Sequence, residues 1–347
     1  SGQGLEFSDS TGAVIVRKNI LSVVFICIVL VPGTAIYPKA KLAQTGFQFL
    51  SVGADARALA MGSAMTTTEW GSGALFFNPA GMAQMDAFFD LAASQNQWIA
   101  DITHNAFSVA ISPARGALGV FGISLFAVNY GEVEGTMVWQ NDQGYIDTEV
   151  FTPNALAIGV GYARAISDRF SVGGHVKHVG QFLAENVIPI GLEEDSLIVS
   201  KNIAFATAVD FGTIFKTGYR SVTVGMSVRN FSNEIKYERE GFQLPLTFRI
   251  GISANLFDLF QLPMRSQSLQ LHIDASHPRA VSEQMNVGAE YAFFNTLFLR
   301  SGYLVNFDER GATFGFGLHL LGLSLDYAYT PFGILDQVQQ FTLRFSM

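Results

Sequence analysis

The chain has 347 residues, a formal net charge of −8, 49% hydrophobic and only 14% charged residues, and a mean hydropathy of +0.29. Soluble domains carry about 25% charged residues, so either the core is very large or the outside is apolar. The acidic balance offers nothing basic to nucleic acid, and a single cysteine excludes a disulfide framework.

The only long apolar run is "ILSVVFICIVLV", Ile20 to Val31, behind Arg17 and Lys18 and ahead of "PGTA". It is short of the ~20 residues of a membrane-spanning helix and reads as a cleaved signal peptide, with Gly33 and Ala35 as the small residues before the cut. A leader over residues 1–35 is expected, with Val16 as its natural start and residues 1–15 non-native. Cys27 leaves with it, which removes thiol chemistry from the mature chain. Export then makes the outer membrane of a Gram-negative-type bacterium the expected location.

Residues 41–86 do not alternate, and a plug or hatch segment is expected over 36–86. They are rich in Gly and Ala, with a helix-compatible "ADARALAMG" and the break "FFNPAGMAQM". Proline keeps the residue before it out of the helical region, and Asn78 is suited to cap a turn that starts at Pro79. "NPAG" is therefore expected to be a rigid capped turn leading from a plug or hatch segment, with short helices, into the first strand.

From residue 87 to 347 the hydropathy alternates with period two. In "LQLHIDAS", Leu269, Leu271, Ile273 and Ala275 share one face, and Gln270, His272, Asp274 and Ser276 the other. The second face of such segments is mostly Gly, Ala, Ser and Thr, which suits a crowded barrel interior better than the wet face of a sandwich. Fourteen strands are expected, near 87–98, 102–112, 117–130, 153–166, 169–183, 201–214, 219–230, 245–257, 267–277, 282–293, 296–305, 311–320, 322–330 and 339–347. Long links (131–152, 184–200, 231–244, 331–339) fall on one end and short turns ("SPARG", "SDR", "KTG", "FFNT", "LLGL") on the other, the outer-membrane rule; the link around 258–266 is longer than that rule expects. The fold class is an all-β transmembrane antiparallel barrel. Acidic residues of the long links, among them Glu132, Glu134, Asp142, Asp147, Glu149, Glu193, Glu194 and Asp195, read as a solvated rim without ligand spacing for calcium.

"GFQFLSVGADARALAMGSAMTT" with "ALFFNPAGMAQM", and the C-terminal "LSLDYAYTPFGILDQVQQFTLRFSM", resemble the PorV/PorQ family of outer-membrane proteins, related to the FadL-type transporters. The resemblance covers residues 44–85 and 322–347. It implies a fourteen-stranded barrel with an N-terminal plug, in which Gly53, Ala56, Arg57, Gly62, Asn78, Pro79, Ala80 and Gly81 are motif positions of the plug. It also implies one of two roles: a shuttle component of type IX protein secretion, the leading expectation, or a FadL-like channel for passive uptake of fatty acids or other hydrophobic compounds. The partners expected are outer-membrane lipid and lipopolysaccharide, with a translocon and secreted cargo in the first role and a hydrophobic small molecule in the second. Met347 stands where such barrels often end in an aromatic.

Six histidines invite catalysis or metal binding. His175 and His178 are three apart on a strand and face opposite ways. His272, Asp274 and Ser276 share a face, but strand residues two apart lie ~6.6 Å from one another, beyond hydrogen-bond reach. Neither an enzyme nor a cofactor is expected. Lys177, Asp210, Arg229, Arg249, His272, Asp274, Arg300, Asp326 and Arg344 fall on polar faces and are expected to line the lumen, the charged ones either pairing across it, since a buried charge needs a partner, or forming a selectivity lining.

Overall fold

The computed structural model describes residues 45–347 apart from 139, 190–196, 237–240, 265, 308–309 and 336. The expected leader, and Glu193, Glu194 and Asp195, lie outside the described residues. In chain order the strands are β1 (Phe89–Gln97), β2 (Thr103–Ile111), β3 (Val120–Asn129), β4 (Val133–Val138), β5 (Tyr145–Phe151), β6 (Asn154–Ser167), β7 (Phe170–Pro189), β8 (Leu197–Lys216), β9 (Thr223–Ser232), β10 (Ile235–Lys236), β11 (Gly241–Phe242), β12 (Thr247–Asn255), β13 (Gln267–Pro278), β14 (Gln284–Phe293), β15 (Leu297–Val305), β16 (Ala312–Leu320), β17 (Leu323–Pro331) and β18 (Gln337–Ser346). Fourteen of them form one closed antiparallel barrel, in the order β1-β18-β17-β16-β15-β14-β13-β12-β9-β8-β7-β6-β3-β2.

Closure is made by β1 against β18, with Leu91 opposite Phe345 and Ala93 opposite Leu343. Closing the sheet pairs every strand on both sides, which is what a β-structure in lipid requires, because no water is there to satisfy a free edge. The pleat then sorts the side chains. Leu91, Phe107, Phe121, Phe211, Phe314 and Phe341 stand exposed on the outside, while Asp90, Ala92, Ser94 and Asn96 of β1 are buried inside. An exposed apolar band of this size is stable only against lipid.

The expected strands all form, within a few residues, and three links differ from expectation. Residues 131–152 are not an open loop but the ribbon β4–β5, which pairs only with itself. Much of 184–200 is strand, because β7 and β8 run on past the barrel rim to Pro189 and from Leu197. Ile235–Lys236 and Gly241–Phe242 make a second small ribbon. The overlong link carries the helical turn Leu256–Leu259, capped by Asn255, whose side chain accepts from Phe257 N. Phe260, Leu262 and Met264 beyond it are exposed.

Residues 45–86 fill the lumen. They fold as short helical turns at Gln48–Ser51, Ala56–Ala60, Gly71–Phe76 and Pro79–Met82. Short turns are all that this Gly-rich segment can hold, and each is fixed by the wall rather than by its own length.

Candidate functional site

The lumen is two-faced. Along β12 to β18 the wall meets the plug mainly through charges and hydrogen bonds, with a small apolar cluster of Ala56, Leu59 and Ala60 on Ala328 and Val338; along β2, β3, β6, β7 and β8 it meets the plug mainly through apolar contact, with polar links at Ser108, Thr213 and Lys216.

On the polar side Glu290 of β14 accepts from two arginines. Arg57 of the plug reaches it at 2.6 Å and Arg300 of β15 at 2.6 Å, and Arg300 also holds Asp326 of β17 at 2.5 Å. Arg57 and Arg344 lie over the Trp70 ring, 4.5 and 4.4 Å from its centroid. Arg344 Nη1 donates to Trp70 O at 3.3 Å, and its guanidinium lies 3.5 Å from Asp55. Asp55 caps the Ala56–Ala60 helix by accepting from Arg57 N at 2.9 Å. Burial pushes the Asp55 carboxyl up to about 6, against the pull of Arg344.

Strand side chains clamp the rest of the plug, mostly by its backbone. Ala56 N donates to Thr342 Oγ1 at 2.8 Å, and Gln340 Nε2 to Gly53 O at 3.3 Å. Gly62 N donates to Thr313 Oγ1 at 3.1 Å, and Asn286 Nδ2 donates to Gly62 O at 2.5 Å. Gly62 has φ +59°, and a Cβ there would stand 3.3 Å from Val287 O and Tyr303 N. Asp274 accepts from Thr66 N and Oγ1 at 3.0 and 2.7 Å, and His272 Nδ1 lies 3.2 Å from Thr67 Oγ1. Arg249 Nη1 donates to Ser63 O at 2.9 Å and Arg229 Nη2 to Leu50 O at 3.4 Å.

The "NPAG" turn does more than lead into β1. Asn78 caps Pro79–Met82 by accepting from Ala80 N at 3.1 Å, and its Nδ2 donates to Thr66 O at 2.6 Å and reaches Thr213 O of β8 at 3.2 Å. Gly173 and Gly212 clear the space: a Cβ on Gly173 would stand 2.5 Å from the Pro79 and Ala80 backbone, and one on Gly212 would run into the Asn78 carboxamide. Gly81 is packed as closely, under Thr68 O. The motif docks the plug against the β7–β8 wall, and Ala83 to Phe88 carry the chain to β1.

Every charged or polar lumen candidate named from the sequence faces inward, but few pair across the lumen. Lys177 and Asp210 are wall neighbours, 2.8 Å apart on β7 and β8; Arg300 and Asp326 are likewise near each other on the wall, and the others bond the plug. The reason is that the plug fills the space that cross-lumen pairs would have used. Glu290, Asp55, Thr342 and Asn286 were not singled out by sequence, although alternation in "MNVGAEY" puts Asn286 and Glu290 on one face.

His272, Asp274 and Ser276 bond separate partners, as the strand spacing requires. A Ser-His-Asp order does occur elsewhere: His175 lies 2.9 Å from Ser124 and 3.2 Å from Asp210. It spans β3, β7 and β8, so no spacing along one strand reveals it. The imidazole crosses β6 over Gly159, where a Cβ would collide with it. Asp210 also takes Lys177 and the backbone N–H of Asn230, the latter at 2.6 Å; Asn230 sits with φ 60° where the β8–β9 register slips. The network satisfies buried polar groups at an irregular point of the wall.

Among the described residues the apolar side carries two clusters, the smaller formed by Leu75, Met82 and Ala83 on Ala110, Val120 and Ala163; the other is larger. In it Phe47, Phe49 and Leu50 of the plug pack on Phe126 and Val128 and on inward alanines of β2, β6 and β8, with Val179 of β7. Phe49 stacks on Phe126 with centroids 6.1 Å apart. Beneath it lies a small cavity of about 20 Å³ between Val52, Leu75, Phe76 and Ala157 on one side and Ser124, His175, Lys177 and Arg229 on the other. At the outer end of β7 and β8 a cavity of about 370 Å³ opens beside Phe182, Leu183 and Ile203. A third, of about 540 Å³, lies at the opposite end around Trp70, Asp90, Arg344 and Ser346.

Solved structures share this fold. The toluene transporter TbuX of Ralstonia pickettii superposes with a TM-score of 0.57 over 85% of this chain and 98% of its own, at 13% identity. The toluene transporter TodX of Pseudomonas putida gives 0.56 over 84% and 96%, at 13% identity. CymD, a monoaromatic hydrocarbon channel, gives 0.54 over 85% and 98%, at 11% identity. At these identities the likeness is one of fold. No family model and no curated protein sequence matches the chain.

Proposed function

We propose that this protein is an outer-membrane channel for passive passage of small hydrophobic compounds, in which the 45–86 segment acts as the hatch. The observation that carries this reading is the apolar cluster between plug and wall. A water channel lines its lumen with polar groups; here Phe49, Leu50, Phe126 and inward alanines make one side of the interior apolar. Leu183 and Ile203, which line the outer cavity, stand on the same two strands as Val179 and Ala204 of that cluster, so apolar side chains mark both the outer end of these strands and the hatch. The fold shared with toluene and monoaromatic hydrocarbon channels supports the same reading. An exported precursor with a cleaved leader fits it.

The test is uptake of toluene by cells with an intact lipopolysaccharide leaflet, since plain phospholipid is no barrier to it. Expression should speed uptake, and Ala157→Val, which narrows the small cavity, should slow it while heat-modifiable gel mobility shows the barrel folded. Equal uptake with and without the protein would overturn the reading.

A shuttle role in type IX secretion rests on the PorV/PorQ resemblance of residues 44–85 and 322–347. In that role the exposed β4–β5 ribbon, which pairs only with itself, would be the part to grip a secreted protein.

A further inference from the structure

A separate cavity of about 190 Å³ lies between the plug turn Gln48–Ser51 and the outer ends of β9, β12 and β13. Four arginines line it, Arg229, Arg249, Arg279 and Arg310, and among the described residues no carboxylate does. Cations gathered in a partly dry site repel one another and cost solvation unless an anion joins them.

Two of the four are held with donors unused. Arg249 gives Nη1 to Ser63 O, Arg229 directs Nη2 at Leu50 O, and the Nε of each is buried without a hydrogen-bond partner. Asp210, the carboxylate nearest Arg229, is already taken by Lys177 and His175, and Asp274, the counter-charge of Arg249, hydrogen-bonds Thr66 and lies outside the cavity lining. Arg310 is stacked among the rings of Phe307, Phe332 and Trp98, at 5.0, 5.2 and 5.7 Å, which orders a guanidinium without neutralising it. The remaining walls are apolar: Leu50, Pro245, Val281 and Phe307.

From this geometry we infer that the cavity binds a compact organic carboxylate, one the size of an aromatic acid, with its carboxylate on the arginines and its apolar body against Leu50 and Phe307. The guanidinium fork matches a carboxylate in two parallel hydrogen bonds. The inference rests on the hydrophobic-passage reading and narrows it, because Leu50 lines this cavity and also belongs to the apolar cluster. An acid held here stands at the start of the apolar surface, so the arginines select which apolar compounds are concentrated at the hatch.

The experiment is calorimetric titration of the full barrel in detergent with benzoate, benzyl alcohol and inorganic phosphate. Benzoate should bind one to one, at least about tenfold more tightly than the alcohol, since a charge-assisted bond is what separates them. Arg249→Gln should weaken benzoate about tenfold and leave the alcohol unchanged. Arg310→Gln, which removes a cation stacked on rings and not bonded to the plug, should do the same if the first variant disturbs the hatch. Benzoate no tighter than benzyl alcohol, or unaffected by both substitutions, overturns the inference, as does phosphate that displaces benzoate at equal concentration. The toluene uptake assay is independent: toluene uptake without benzoate binding sinks only this inference, and no toluene uptake sinks the passage reading itself.

Discussion

Asp55 illustrates how one buried group ties the plug to pH. Its carboxyl is raised to about 6 from an ordinary 3.8 chiefly by burial. A carboxyl raised from 3.8 to about 6 favours the protonated folded form, so its contribution, roughly 3 kcal/mol, is fully present below about pH 4 and is lost as pH rises through about 6. Asp55→Asn keeps the acceptor that caps Arg57 N and removes the titration. Wild-type plug protection against protease should therefore fall between pH 4 and 6, and the variant should be flat over that window. A parallel fall in both would assign the effect elsewhere. Glycines at the hatch give a second residue-scale expectation. Gly53→Ala places its Cβ 3.8 Å from Ser63 Oγ, ordinary contact, and should be tolerated; Gly173→Ala meets plug backbone at 2.5 Å. Overpacking of that kind costs about 1–3 kcal/mol, read as a lower unfolding temperature of the hatch. Bulky residues at Gly53 and Gly62 are thus not equivalent: Gly53 has room nearby, whereas Gly62 combines positive φ with close backbone on two strands.

At the scale of elements, the plug is a set of turns too short to be stable alone, and each is fastened to a strand. Glu290 is the shared fastener, and Glu290→Gln strips Arg57 of its only ion pair among the described residues while Arg300 keeps Asp326. Breaking a buried pair costs about 3–5 kcal/mol, so hydrogen exchange over residues 56–70 should accelerate sharply while the barrel strands stay protected. Uniform loss of protection would mean that the plug and barrel unfold together. The strands themselves were legible in the sequence because lipid outside and a crowded lumen inside impose period two from Phe89 to Ser346. Inward orientation of Lys177, Asp210 and Arg344 followed from the same pleat. Their partners did not, because pairing of Arg57 with Glu290, 233 positions apart, depends on where the plug settles and on the register of every strand between. The Asn78 cap was legible; its docking site was not, since Gly173 and Gly212 carry no side chain to announce a contact. The β4–β5 ribbon was missed because its acidic residues read as a solvated loop, and two strands exposed on both faces show no alternation.

At the scale of the molecule, that ribbon separates the two roles. It pairs with nothing but itself, and its base is already closed: Asn129 and Asn154 face each other across β3 and β6, with Tyr130 N bonded to Pro153 O at 3.1 Å. A two-residue Gly-containing turn in place of residues 131–152 should therefore leave the barrel intact, seen as unchanged heat-modifiable mobility in a gel. The ribbon's only contribution to the apolar route is Glu149 to Thr152, one wall of the outer cavity beside Phe182 and Ile203. Removing it widens the entrance without touching Phe126 or the hatch, so toluene uptake should hold or rise. A shuttle that grips protein through this projection should lose its partner in native mass spectrometry of gently extracted membranes. Retained uptake with no partner lost is the outcome expected of a hydrophobic channel; a translocon that co-purifies with the whole protein and not with the shortened one would instead make the ribbon the working part.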